Sequence, residues 1–170
     1  GVKNLVDFLL GVEAGLDSNG RKNRAGTTME TVVAAYLQGV ASKHDLKILE
    51  QATPQRVFSE WGFTVPVDKS SRRFDFAVTD GSKLVLMEVN FYGSGGSKLK
   101  ATAGEYKELF DFLEDSGHTF VWVTDGLGWK TALLPLRSAF ERIDHVWNLS
   151  WLNDHVLLDL FSAGSSGETN

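Results

Sequence analysis

Arg73-Phe74-Asp75-Phe76-Ala77-Val78-Thr79-Asp80-Gly81-Ser82-Lys83-Leu84-Val85-Leu86-Met87-Glu88-Val89-Asn90 decides how this chain reads. Two largely apolar runs flank the turn tripeptide Asp80-Gly81-Ser82, which predicts a hairpin with strands over 73–78 and 84–90. Each strand carries one acid, and the hairpin sets Asp75 and Glu88 side by side on adjacent strand ends. Paired hard oxygen ligands suit Mg²⁺, which in such a site polarises a phosphodiester, activates a water and neutralises the charge that builds as the P–O bond breaks. The same spacing is also met by a solvated acid beside a turn at Asp75 and a surface residue of an edge strand at Glu88.

Helical patterns lie on both sides. Residues 3–10 read as a short amphipathic helix, and the Gly-rich stretch 11–20 as a polar loop. Met29, Val32, Val33, Tyr36, Leu37 and Val40 recur at helical spacing over about 28–41, behind Thr27 or Thr28 as cap and with Glu30 in the first turn. A second helix starts at Pro54 behind Thr53, runs through Val57, Phe58 and Trp61, and stops at Gly62. Phe63-Thr64-Val65-Pro66-Val67 is expected to be a short edge strand, where proline is tolerated. After the hairpin, 101–115 is helical through Tyr106, Leu109, Phe110 and Leu113. The β-branched and aromatic run Thr119–Thr124 predicts a central strand buried on both faces. Asp125–Lys130 then turns, Ala132 to Ile143 is a helix with Leu133, Leu136, Ala139 and Phe140 inward, Val146–Leu149 is a further strand, and 152–161 closes the chain. The core order is helix, helix, strand, strand, helix, strand, helix. Residues 1–163 are expected to form one domain and 164–170 a polar flexible tail.

Composition narrows the chemistry. The 170 residues, 42 % of them hydrophobic, suffice for one α/β or α+β core. The absence of cysteine rules out disulfides and thiolate metal sites, and fits a reducing cytoplasm. No apolar run approaches the roughly 18 residues of a membrane span. A net charge of −5 argues against coating nucleic acid by bulk electrostatics. Three basic clusters nevertheless bracket the acids: Arg21-Lys22-Asn23-Arg24, Lys69-Ser70-Ser71-Arg72-Arg73 and Lys98-Leu99-Lys100. Each taken singly is an ordinary solvated loop. In Gly93-Ser94-Gly95-Gly96-Ser97-Lys98, the backbone at Gly95 and Gly96 offers N–H groups to phosphates and Lys98 a point charge, but the spacing is not that of a nucleotide-binding loop. The four histidines lack ligand spacing, and Trp122 and Trp147 are core candidates.

The order of helix, acidic hairpin, helix and strand is the layout of the PD-(D/E)XK nuclease core. A longer stretch is more specific. Met87-Glu88-Val89-Asn90-Phe91-Tyr92-Gly93-Ser94-Gly95-Gly96-Ser97-Lys98-Leu99-Lys100 resembles the DpnII/MboI family of type II restriction endonucleases. Gly11–Asp17, Arg21–Gly26 with Met29-Glu30, Asp125–Lys130 and Leu133–Leu149 are similar to other elements of that family, so most of the chain is covered. The resemblance implies a restriction-endonuclease-like α/β fold, with a central mixed sheet flanked by helices. It implies a Mg²⁺-dependent enzyme, with Mn²⁺ as a substitute, that cuts double-stranded DNA at GATC, is blocked by adenine methylation and acts as a homodimer in a prokaryotic or phage-encoded, cytoplasmic setting.

Carried over residue by residue, the resemblance makes Asp75 and Glu88 the metal ligands and brings Arg21, Lys22, Arg24 and Lys98 to DNA. Asn90 stands where most enzymes of the superfamily have lysine, and an amide neither carries positive charge nor acts as a base at neutral pH. Three readings follow: Asn90 positions the attacking water, Lys98 takes the vacant role, or the metal and a substrate phosphate activate the water. The first is favoured, with Lys98 as phosphate clamp. Glu30 is a further candidate for a metal-bound water or a second ion, although a first-turn Glu is also favoured by the helix dipole. Glu13 and Asp17 are weaker candidates. Members of the family are usually considerably longer, with additional sequence ahead of the matched region, where base recognition or dimerisation can reside. A nuclease of other purpose, such as repair or toxin, and a non-catalytic DNA-binding module on a decayed nuclease core are the alternatives.

Overall fold

A computed structural model describes residues 4–15, 25–69 and 71–162. Among these residues five strands form one sheet in the order β1-β2-β3-β4-β5: β1 (Lys47–Ala52), β2 (Phe74–Thr79), β3 (Leu84–Phe91), β4 (Thr119–Asp125) and β5 (Val146–Trp147). The first three are antiparallel neighbours, while β3/β4 and β4/β5 run parallel, so the sheet is mixed as expected. Among the described residues six α-helices flank it: α1 (Leu5–Gly15), α2 (Ala25–His44), α3 (Pro54–Trp61), α4 (Ser97–Glu114), α5 (Leu133–Arg142) and α6 (Asp154–Ser162).

Strand alternation divides the core in two. Leu84 and Leu86 of β3, Ala77 of β2 and Phe120 and Trp122 of β4 meet Phe8 of α1, Val57 of α3, Leu99, Ala103 and Leu113 of α4, and Leu136 of α5. Val85, Met87 and Val89, with Phe76, Val78, Val121 and Val123, meet Met29, Val33, Leu37 and Val40 of α2 and Leu157 and Leu160 of α6. Glu88 and Asn90 share the parity of Leu84 and Leu86, so β3 aims them to the α3/α4 side. Truncating a core side chain such as Leu113, fully buried, to alanine costs about 2–5 kcal/mol.

Local chemistry fixes the elements around the hairpin. Asp80 Oδ1 accepts from the backbone N–H of Ser82 and of Lys83, both at 2.8 Å, and closes the β2–β3 connection. Thr53 Oγ1 accepts from Arg56 N at 3.2 Å, Pro54 opens α3, and Gly62 ends it at a φ of 78° that only glycine takes without strain.

Several expectations change. The stretch 47–52 is a strand, β1, and it occupies the edge assigned to 63–67, which forms no strand. Its burial recurs every third residue, with Leu49 and Ala52 inside, and Gln51 has a left-handed φ of 51°, so the two-residue alternation that marks a strand is missing. Val65 of the displaced segment still packs into the core. Helix α1 continues through Gly11 to Gly15, because the Asn148 side chain lies against Gly11 and donates to Phe8 O at 2.8 Å. Helix α2 begins at Ala25 and α4 at Ser97, each earlier than periodicity indicated. Leu133 opens α5 and is exposed, the inward face being Leu136 and Ala139 with the half-buried Phe140 packed against the same core. The turn after β4 contains a 3-10 segment, Leu127–Thr131.

Candidate active site

The β2/β3 ladder runs from Thr79↔Leu84 to Phe76↔Met87. One step further, Asp75 and Glu88 come opposite each other. Beyond that last pair the Val89 N–H donates to Asp75 Oδ2 at 2.8 Å, so a carboxylate takes a hydrogen bond that backbone supplies within a ladder. Glu88 is only 5 % exposed, and Asp75 is half-buried. Burial, followed by the charge of Asp75 and a hydrogen bond with it, holds the Glu88 carboxyl well above the ordinary carboxylate range. Glu88 is therefore not a surface residue of an edge strand.

A cation opposes that pressure. Arg72, 6 % exposed, lies with Nη1 3.5 Å from Glu88 Oε1. It is held from behind by Asp68, to which Nε donates at 2.8 Å and Nη2 at 2.5 Å, and by Glu105 Oε1 at 3.0 Å from Nη2. Lys69 Nζ is 3.1 Å from the same Glu105 oxygen. The hydrogen bond from Arg72 keeps the Asp68 carboxyl below its usual range. The Glu105 carboxyl is also low, since Lys69 and Arg72 outweigh its partial burial. Most of the Arg72 guanidinium is thus spent on Asp68 and Glu105, and the contact left for Glu88 is long.

Asn90 sits two residues beyond Glu88 on the same face of β3. Trp122 Nε1 donates to Asn90 Oδ1 at 3.0 Å, and Asn90 Nδ2 lies 3.5 Å from the Tyr106 hydroxyl.

A profile described as DpnII restriction endonuclease matches residues 1–159. The chain belongs to the DpnII restriction endonuclease family. The type II restriction enzyme LlaDCHI of Lactococcus lactis subsp. cremoris is 52 % identical over 94 % of this chain and 54 % of its own length. The type II restriction enzyme DpnII of Streptococcus pneumoniae is 38 % identical over 94 % of this chain and 57 % of its own length. This DpnII-family chain therefore spans little more than half the length of these relatives. Among solved structures, the MunI restriction endonuclease in complex with cognate DNA aligns over 95 % of both chains, at 13 % identity and a TM-score of 0.42.

The other candidates of the DpnII-family reading fall in different places. Glu30 lies in the second turn of α2, since the helix starts five residues before it, so the helix dipole no longer accounts for it. Its Oε2 is 3.5 Å from Gln51 Nε2, and its carboxyl is pushed up by burial and then by the charge of Asp75, which places it within electrostatic reach of that acid. Gly95, Gly96 and Lys98 are exposed, with Lys98 on the first turn of α4 rather than in the loop. Arg21, Lys22, Arg24 and Asp17, and the side chain of Glu13, lie outside the described residues. Among the described residues no three histidine, aspartate or glutamate side chains gather into a metal cage. The donor set still fits Mg²⁺, which is bound through one or two carboxylates and completes its shell with water and substrate phosphate. Two facing carboxylates, one of them buried and incompletely neutralised, are what a divalent cation relieves.

Arg72 is the residue that sequence reasoning missed. The cluster Lys69–Arg73 stood out, but only the Asp68-to-Arg72 spacing hints at which of its cations turns inward. Glu105, Tyr106 and Trp122 were likewise visible only as helix and core positions. Thr53, Gln55, Lys69, Ser71, Arg72 and Arg73 line an open depression of about 380 Å³ on this side of the fold. No helix among the described residues is long and apolar enough to cross a membrane.

Proposed function

We propose that the protein is a Mg²⁺-dependent type II restriction endonuclease that hydrolyses phosphodiester bonds of double-stranded DNA at unmethylated GATC, acting as a homodimer in the cytoplasm of a prokaryote or on behalf of a phage. The observation that carries the catalytic reading is the Asp75–Glu88 pair at the point where the β2/β3 ladder ends. Family membership and the Met87–Lys100 resemblance support the rest, including the choice of GATC.

Asp75 and Glu88 hold the metal, with Mn²⁺ able to replace Mg²⁺. When bound, it supplies Lewis-acid polarisation of the phosphate and a more acidic water. The chain's own residues do the positioning. The Val89 N–H fixes the orientation of Asp75. Arg72 favours the charged form of Glu88 against its burial. Asn90 faces the same side and contacts the reacting phosphate or its water. Glu30, whose carboxyl feels the charge of Asp75, would hold a water beside the metal. Lys98, with the backbone of Gly95 and Gly96, clamps a neighbouring phosphate, and Arg21, Lys22 and Arg24 follow the DNA backbone.

Purified protein incubated with Mg²⁺ and plasmid, unmethylated or adenine-methylated at GATC, tests this. Discrete fragments are expected from the unmethylated plasmid alone. Absence of discrete fragments from it would sink the restriction claim, and equal cutting of both would leave a nuclease of other purpose.

A further inference from the structure

The Asn90 amide has only one way round. Trp122 is wholly buried on β4, and its indole N–H can only donate. It donates to Asn90 Oδ1 at 3.0 Å. The flipped amide sets NH₂ against N–H, two donors face to face with no acceptor between them. The indole itself is confined. Tyr106 packs edge-on against it with centroids 5.1 Å apart, and Trp129 does the same at 5.4 Å. Trp129 is in turn pinned by its own N–H, which donates to Thr124 Oγ1 at 2.9 Å. In the β3/β4 register Glu88 pairs with Trp122, so the indole stands directly beside the carboxylate pair.

Oδ1 keeps a second lone pair, but it is held against the buried indole, and the NH₂ is the end of the amide turned away from Trp122. That NH₂ makes a long contact of 3.5 Å with the Tyr106 hydroxyl. An attacking water must point a lone pair at phosphorus and is best held by acceptors that take its protons. An NH₂ group held in a fixed direction serves an oxygen that carries negative charge. We propose that Trp122 is a positioning residue that fixes which way round the Asn90 amide sits, and that Asn90 donates through its NH₂ to a non-bridging oxygen of the phosphate being cut. This rests on the nuclease reading above and replaces water positioning as the task of Asn90. A neutral donor at this position does part of what an ammonium does, without the charge.

Single-turnover cleavage of a GATC duplex with Mg²⁺, using N90D, N90A, W122F and the W122F/N90A double variant, tests it. Asn90→Asp keeps an acceptor for the indole but replaces the donor by an oxygen, and is expected to slow cleavage by about 100-fold or more, as loss of one transition-state donor does. A water-positioning acceptor would survive that change, so full activity of N90D overturns the proposal. Trp122→Phe is expected to slow the otherwise native protein by about tenfold, yet by less than about twofold in the N90A background, because it acts only through the amide. An equal loss in both backgrounds means that Trp122 is merely packing, and overturns its positioning role. If W122F fails to fold, proton NMR of the metal-free protein decides: the Trp122 indole N–H is expected to shift upfield in N90A and stay near its native position in N90D. An unmoved resonance in N90A overturns the link. Native protein that cuts no duplex defeats the nuclease reading itself, an outcome distinct from native cutting with an active N90D.

Discussion

Two buried acids near the ends of neighbouring strands, Glu88 on β3 and Asp125 on β4, meet opposite fates. Asp125 is fully buried and faces fixed donors of its own backbone: Oδ1 accepts from Gly126 N at 2.7 Å and Oδ2 from Leu149 N at 2.9 Å. Burial outweighs those bonds and pushes its carboxyl up to about 6. Around it the chain is tied down, since Asp125 O accepts from Tyr92 N at 2.9 Å, and Gly126, at a φ of 116°, lies so close to the Tyr92 backbone that no Cβ fits. Glu88 faces a second acid and a guanidinium already committed elsewhere. Burial alone does not mark a functional acid. What differs is whether its partners complete it, as at Asp125, or leave its charge incompletely compensated, as at Glu88.

The sharpest way to break that contrast is to neutralise the two acids separately. Glu88→Gln is expected to lower cleavage by about 10³-fold or more while thermal stability stays at or above the native value, since a poorly compensated charge leaves the interior. Asp75→Asn should behave alike in cleavage. Calorimetric Mg²⁺ titration and a melting curve check both, and a Glu88→Gln protein that still binds Mg²⁺ as the native one does would falsify the metal role. Arg72→Met comes next: it leaves the buried Glu88 without its cation and Asp68 without its paired donors, while Glu105 keeps Lys69, and is expected to cost about 3–5 kcal/mol in urea unfolding. Asp125→Ala leaves two backbone N–H groups without their acceptor and is expected to cost about 2–4 kcal/mol, with Mg²⁺ affinity unchanged by titration. Loss of metal binding in that variant would erase the distinction between the two acids.

The smallest effect is in pH. The Asp125 carboxyl titrates higher in the folded chain, at about 6, than its ordinary value of 3.8. Its contribution to stability is therefore fully present below the ordinary value and lost as pH rises through 6. Asp68 and Glu105 are shifted the other way, so their contribution is present above the ordinary carboxylate range and lost as pH falls through their lowered values. Metal-free protein is expected to gain about 1–3 kcal/mol as pH falls from 8 to 5 and to lose stability below about 4. The gain from pH 8 to 5 should shrink in Asp125→Ala. An unchanged profile in that variant assigns the gain to other groups.

Much of this was legible beforehand where the physics is local. The Asp80-Gly81-Ser82 turn, the Thr53-Pro54 start and Gly62 stop of α3, and the buried strand around Trp122 each carry their own signal within a few residues. β1 was not legible, because Gln51 breaks its alternation and its edge position comes from pairing with β2. The early start of α4 was hidden under a glycine run that reads as loop. The inward turn of Arg72 depends on Asp68, Glu88 and Glu105, which lie on three separate segments.

By itself the sequence determined the hairpin and which two acids it brings together, since strand period and turn chemistry act between near neighbours along the chain. Only the tertiary structure decided how those acids are held. Burial of Glu88 needs α4 over the sheet, the charge beside it arrives from residue 72, and the orientation of Asn90 is fixed from β4 by Trp122. Dielectric, ion pairing and amide orientation depend on distances through space, which no local pattern of residues encodes.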